Sequence, residues 1–181
     1  GSIVSVHGEV LHNHRHDHVL RAGDLLLADV GGESEHGYAA DITRTWPVGG
    51  RFTEPQRQLY ELVLAAQAAA LRAVVPGRRY SGIHDAATQV LAQGMLDLGL
   101  LDKSSFGSAD DVIAQQAHRQ FYMHGTGHWL GLDVHDCGAY RDLIEKALVK
   151  HGLPRALLAL VMTESACVAH VESPPGQHRA L

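Results

Sequence analysis

The 181-residue sequence predicts a single domain, residues 1–181, of mixed α and β structure. Its length suits one compact core, and 45% hydrophobic with 19% charged residues is typical of a globular chain. Segments with strand-like alternation and segments with helical spacing of apolar residues follow one another along the sequence. They predict strands at residues 3–12, 25–30, 40–48 and 130–135, with helices between them.

The strands are predicted from alternation and from the turns that bound them. Residues 3–12 alternate apolar and polar around a glycine, which predicts a strand, a turn and a second strand. Residues 25–30 read as a buried strand before a glycine turn, and residues 40–48 are rich in Ile and Thr. A Gly-rich connection of about ten residues between these two strands predicts an antiparallel pair.

The helices are predicted from apolar spacing and from their end signals. The clearest one begins after Thr53, a predicted N-cap, has Pro55 in its first turn and stops at Pro76-Gly77. Further helices are predicted over residues 83–98, 108–118 and 142–152.

Composition narrows the classes of function. A net charge of −5 gives no indication of a nucleic-acid or membrane-surface partner, and no apolar run is long enough to span a bilayer. Cys137 and Cys167 are the only cysteines and form no framework, so a reducing cytoplasm is predicted. The opening "GSIVSV" lacks a Met and suggests a fragment or a cloning scar. The 14 histidines, against 15 Lys plus Arg, favour a metal-binding function.

Two aspartates sit where neighbouring strands are predicted to meet. Asp29 lies among apolar residues near the end of one strand, and Asp41 opens the next strand. Buried carboxylates that lie side by side repel each other, and a bound cation is the natural resolution.

The stretch "FYMHGTGHWLGLDVHDCG" holds three histidines, His124, His128 and His135, among glycines. Its two glycines make "HGTGH" poor helix sequence, so a loop that approaches a metal or ligand closely is predicted. Carboxylates plus imidazoles suit Mn, Co, Zn or Fe(II). The alternative is that each histidine is a hydrogen-bonded core residue without a ligand.

The chain resembles the catalytic domain of the Xaa-Pro aminopeptidases of the pita-bread metallopeptidase family. The matching segments are "VHGEVLHN", "GDLLLADVGGE", "GYAADITRTWPVGGRFTEPQRQLYELVL" and "HGTGHWLGLDVHDCG", in family order over about residues 3–140. The resemblance implies an α+β pita-bread fold, a curved antiparallel sheet with helices outside and the site in its hollow. Residues 141–181 diverge, so the fold is expected to be incomplete at its C-terminus.

The resemblance also implies roles for individual residues. Asp29, Asp41 and His128 correspond to metal ligands, with Asp41 bridging two ions. His124 and His135 correspond to a pair that flanks the substrate, and His12 to a histidine near the substrate carbonyl. The family supplies two further glutamate ligands. Glu164 in "LVMTESACVAH" is a partial echo of the first and is our predicted ligand, whereas Glu172 is the only later glutamate.

The implied function is a metal-dependent aminopeptidase that cleaves the N-terminal residue from Xaa-Pro peptides through a metal-bound water. Two divalent ions are expected, manganese first, with cobalt, zinc or iron as alternatives. The expected partner is a peptide with proline second. Sheet edges left open by missing strands would favour a homo-oligomer. Two alternatives stay open: a truncated, non-catalytic homologue acting as a binding module, and a prolidase-like or creatinase-like hydrolase.

Overall fold

The computed structural model describes residues 2–137 and the short strand at Leu158–Ala159. The elements in chain order are β1 (Ile3–Ser5), β2 (Leu25–Glu33), β3 (Ala39–Pro47), α1 (Glu54–Ala73), α2 (Ser81–Asp97), α3 (Ala109–Ala114), a 3-10 helix (Ala117–Gln120), β4 (His128–Trp129) and β5 (Leu158–Ala159). The predicted α+β class is confirmed. The predicted helix at 142–152 lies outside the described residues, as does Glu164.

The first three strands form an antiparallel sheet with β2 in the middle. Leu25 lies opposite Pro47 and Glu33 opposite Ala39, so β2 and β3 pair along their whole lengths. The predicted antiparallel pair is confirmed, but both strands differ in extent from the prediction and residues 34–38 alone connect them. A shorter connection moves Asp29 from the predicted strand end to the middle of β2.

The second strand predicted within residues 3–12 is wrong. β1 ends at Ser5, and the chain then turns, with the Val10 amide donating to the His7 carbonyl at 3.1 Å. His12 adopts a positive φ of 56°, which no strand accommodates. The buried Asn13 side chain donates to the Ser5 hydroxyl at 3.0 Å, and this bond folds the segment back onto β1.

Helix α1 begins where the sequence predicts. The Thr53 hydroxyl accepts from the Gln56 amide, and the Gln56 side chain accepts from the Thr53 amide, which forms a capping box. The Gln56 side-chain nitrogen also donates to the Gly23 carbonyl at 2.8 Å. The Gln56 side chain therefore hydrogen-bonds both the N-cap of α1 and the turn before β2, and so connects α1 to the sheet.

The core lies between α1 and α2. Both helices contribute fully buried alanines to this core, Ala66 and Ala70 from α1 and Ala87 and Ala92 from α2, and such small side chains let helices pack closely. None of the helices within residues 2–137 combines the length and the apolar character that a membrane-spanning helix requires.

The helix predicted over 108–118 is shorter than expected. Ser108 caps it as predicted, by accepting from the Asp111 amide, but α3 ends at Ala114. Gln116 has a φ of 56°, a left-handed conformation that a helix cannot continue through, and a 3-10 helix follows.

The strand predicted at 130–135 is also wrong. β4 comprises only His128 and Trp129, and residues 131–135 form bends. The Asp136 carboxylate accepts from the Leu132 amide at 3.0 Å, and the Asp136 amide donates to the Trp129 carbonyl. These local bonds take the place of a strand ladder, so the apparent alternation of "LGLDVHD" is misleading.

Candidate functional site

Asp29 and Asp41 lie on one face of the sheet. Asp29 is opposite Thr43, and Asp41 is opposite Gly31, so the two carboxylates are diagonal neighbours across the β2–β3 pair. The Thr43 hydroxyl donates to Asp29 Oδ1 at 2.8 Å. The strand register thus brings the two carboxylates together and holds one of them by a buried hydroxyl.

The acid pair is electrostatically strained. The pKa of the Asp41 carboxyl is raised, first by burial and then by the neighbouring Asp29 carboxylate, whereas His128 acts in the opposite direction. Two carboxylates at this range disfavour simultaneous ionisation. A bound cation would relieve both the repulsion and the cost of burial.

His128 faces the acid pair from β4. Its Nε2 lies 3.1 Å from Asp41 Oδ2, and its Nδ1 lies 3.1 Å from the Trp129 carbonyl oxygen. A carbonyl only accepts, so Nδ1 carries the proton toward Trp129. Nε2 thus faces a carboxylate oxygen of Asp41, which places an imidazole nitrogen and a carboxylate side by side at the hollow.

The three predicted ligands are linked to one another through Asp41. Asp41 contacts His128 and interacts with Asp29, and it is therefore the shared member. Among residues 2–137, however, no three His, Cys, Asp or Glu side chains are close enough together to hold a metal ion. Carboxylate and imidazole donors suit a divalent ion, and a complete site needs at least one further ligand.

The other predicted site histidines line the same hollow as this acid pair. His124 is half-buried, and its Nδ1 donates to the Gly125 carbonyl at 2.8 Å. Burial lowers the pKa of the His124 imidazole and nearby His12 lowers it further, whereas the Gly125 bond raises it. The His135 ring lies 4.2 Å from the His128 ring, centroid to centroid.

A hollow of about 700 Å³ joins these groups. All six predicted site residues within the described part of the chain line it: His12, Asp29, Asp41, His124, His128 and His135. Glu164, the seventh, lies outside the described residues. Sequence reasoning missed Glu33, which lines the hollow on the same sheet face as Asp29. Strand alternation could have found it, because residues two and four apart share a face.

The fold and the hollow define an α+β domain with a hollow lined by carboxylates and imidazoles. A sequence profile of metallopeptidase family M24 matches residues 2–157, and the chain belongs to that family. The resemblance inferred from the motifs is thereby confirmed, and the match extends beyond the predicted limit near residue 140.

Individual relatives agree with this placement. The Xaa-Pro aminopeptidase of Haemophilus influenzae is 52% identical over 131 residues, which are 72% of this chain and 29% of that protein. The structure of Pseudomonas aeruginosa aminopeptidase PepP superposes with a TM-score of 0.74 at 46% identity, covering 78% of this chain and 31% of that one. A glutamate-to-alanine variant of Escherichia coli aminopeptidase P in complex with substrate gives 0.71 at 44% identity, with 77% and 31% covered. The predicted pita-bread fold is confirmed, and the chain spans about a third or less of these relatives.

Proposed function

We propose that this chain carries the metal-binding part of an Xaa-Pro aminopeptidase, which releases the first residue of a peptide whose second residue is proline. One observation carries the proposal. The sheet, the glycine loop and the turn after β1 bring the two predicted aspartates and the four predicted histidines to a single hollow. The identity to relatives named Xaa-Pro aminopeptidase supports the same substrate class.

Two divalent ions, manganese in the first place, would be held by Asp29, Asp41 and His128, with Glu164 as a further ligand. When bound, they would supply Lewis-acid activation of water and of the scissile carbonyl. Asp29 and Asp41 offset two of the four positive charges and neutral His128 offsets none. Unless further carboxylates contribute, at least one ion should bind weakly.

The histidines of the hollow would bind the substrate and move protons. His124 donates through Nδ1 to Gly125, so in the neutral ring the lone pair is on Nε2, and this imidazole would take part in proton transfer. The lowered pKa of His124 favours this neutral form near pH 7. His135 beside His128 would protonate the leaving prolyl nitrogen, and His12 would lie near the substrate carbonyl.

The test is release of the first residue from an Xaa-Pro-Yaa tripeptide by the purified protein with Mn²⁺ or Co²⁺. Asp41→Asn should abolish both release and metal uptake, because it removes the carboxylate that contacts His128 and lies beside Asp29. Asp97→Asn is the matched control, since Asp97 is an exposed carboxylate at the end of α2 paired with Lys103. No release with either metal would overturn the proposal, and release only from Xaa-Pro dipeptides would indicate a prolidase-like enzyme.

A non-catalytic module is the second candidate. The observation that favours it is that the described residues hold no group of three metal-ligating side chains. Metal analysis separates the two candidates: two equivalents per chain support the enzyme, whereas none in a folded chain supports the module. A cytoplasmic location and a single domain over residues 1–181 stay predictions from the sequence, as does a homo-oligomer.

A further inference from the structure

Between His124 and His128 the loop has only one residue whose side chain can anchor it to the rest of the protein. The three residues between the two histidines are Gly125, Thr126 and Gly127. Glycine gives the backbone freedom without any side-chain contact, so such a loop is costly to order. The Thr126 side chain is the exception, and only 3% of this residue is exposed.

The Thr126 hydroxyl is fixed by two groups from outside the loop. It lies 2.8 Å from Nδ1 of His84, which is 42 positions earlier in the sequence, and it also hydrogen-bonds the Tyr122 hydroxyl. The rings of His84 and Tyr122 stack, with centroids 5.6 Å apart. One threonine hydroxyl can accept from one of these groups and donate to the other, so both bonds form together.

His84 brings this anchor from the rigid part of the molecule. It lies in the first turn of α2, next to Ile83, which is 2% exposed and belongs to the core. Burial lowers the pKa of the His84 imidazole, and the neutral ring that results can accept from a hydroxyl. The hydrogen bond therefore connects the glycine loop to a core helix.

His84 does not itself reach the hollow that contains the acid pair. It lines a separate cavity of about 520 Å³ behind the loop, and His124 and Gly125 line both spaces. The His84 side chain therefore lines a different space from Asp41 and His128. The contact that joins His84 to the loop is its hydrogen bond to Thr126.

We propose that His84 is a positioning residue, which acts through the Thr126 hydroxyl to fix the loop that presents His124 and His128 to the hollow. The part of this inference that concerns metal and substrate depends on the proposed function. The structural part, an ordered loop held from α2, does not.

Thr126→Val and Thr126→Ser form the decisive pair. Valine keeps the shape of threonine without its hydroxyl, and serine keeps the hydroxyl. The first measurement is hydrogen exchange of the backbone amides of residues 125–129. Thr126→Val and His84→Leu should each speed exchange there by about tenfold or more. The variants that keep a hydrogen-bonding group, Thr126→Ser and His84→Asn, should exchange as slowly as the wild type. Equal exchange in Thr126→Val and the wild type would overturn the proposal, as would equal loss in Thr126→Ser and Thr126→Val.

The second measurement is Mn²⁺ affinity by calorimetry, together with kcat and KM on an Xaa-Pro-Yaa peptide. Loss of an outer hydrogen bond that orients a ligand costs about 10- to 100-fold in metal affinity or activity. We expect that loss in Mn²⁺ affinity and kcat with a smaller change in KM, recovered in Thr126→Ser. A lower unfolding temperature with unchanged Mn²⁺ affinity would mean a purely structural role and would overturn the positioning role.

Thr88→Val is the matched control in the same helix. Thr88 is 4% exposed, and its hydroxyl has no hydrogen-bond partner among the described residues. Its removal should leave loop exchange and Mn²⁺ affinity unchanged. If the wild type neither binds Mn²⁺ nor releases a residue, the proposed function fails. Hydrogen exchange of residues 125–129 then tests by itself whether His84 orders the loop.

Discussion

The environment of Asp29 shows how much a single residue contributes to this site. Its carboxylate lies beside that of Asp41, and Thr43 is directly opposite it across the strand pair. The Thr43 hydroxyl donates to Asp29 Oδ1 and so fixes the orientation of this carboxylate. In the proposed function this is one of the two carboxylates that would hold a metal ion.

Thr43→Val should weaken Mn²⁺ binding by about tenfold, because the hydroxyl that orients Asp29 is lost while the side-chain shape is kept. Thr45→Val is the matched control two positions along β3. Thr45 is 4% exposed on the same sheet face, and its hydroxyl lacks a partner among the described residues. Calorimetric titration checks both variants. Equal affinity in Thr43→Val and Thr45→Val would contradict an orienting role for Thr43.

The sequence could predict the reactive groups but not the groups that support them. Asp29, Asp41 and His128 were identifiable because carboxylates and imidazoles in apolar segments need a partner. Thr43 was not, because its importance depends on a strand register that puts it opposite Asp29 rather than Asp41. His84 was not either, because its partner Thr126 becomes a neighbour only once α2 packs beside the glycine loop.

At the scale of elements, the helices were predictable because their signals are local. Thr53 and Ser108 cap helices as expected from their own sequence neighbours. Two strand predictions are wrong, the second strand within residues 3–12 and the strand at 130–135. In the first segment the Asn13 side chain hydrogen-bonds the Ser5 hydroxyl, and in the second the Asp136 side chain accepts from the Leu132 amide. These bonds take the place of pairing between strands. Alternation alone cannot reveal that competition.

The α1–α2 pair makes a sharp prediction about two glycines in one helix. A Cβ on Gly94 would lie 2.2 Å from a terminal carbon of Leu62 on α1, whereas a Cβ on Gly82 would meet nothing within 4 Å. Alanine favours a helix over glycine by about 1 kcal/mol at an interior position. Overpacking at a helix contact costs about 1–3 kcal/mol.

Gly82→Ala should therefore stabilise the protein by up to about 1 kcal/mol, since only the propensity gain applies. Gly94→Ala should destabilise it by about 1 kcal/mol, since the displaced Leu62 outweighs that gain. Urea unfolding measures both. A double variant with Leu62→Ala should lose less stability than the sum of the single changes, because Ala at 62 makes room. Similar stabilisation by both glycine changes would show that α1 and α2 are not packed this closely.

At the scale of the whole molecule, burial of histidine makes stability depend on pH. Burial is the largest cause of a lowered pKa at three imidazoles that line one cavity, His84, His118 and His124. In the unfolded chain each titrates near about pH 6.5. Below that pH the unfolded state binds protons that the folded state does not, so stability falls as pH falls. Asp41 acts in the opposite sense, because its raised pKa favours the folded state in acid and opposes it at neutral pH.

The free energy of unfolding should therefore decrease from about pH 7.5 to about pH 5.5, by about 1.4 kcal/mol per pH unit for each extra proton bound by the unfolded state. Urea unfolding without added metal measures this slope. His118→Gln should reduce it, because His118 is 6% exposed and its charged form is disfavoured by burial. His36→Gln, on an exposed turn with 78% of its side chain accessible, is the control and should leave the slope unchanged. A slope that is flat in this range, or that is equal in the wild type and His118→Gln, would mean that the buried imidazoles do not couple folding to pH.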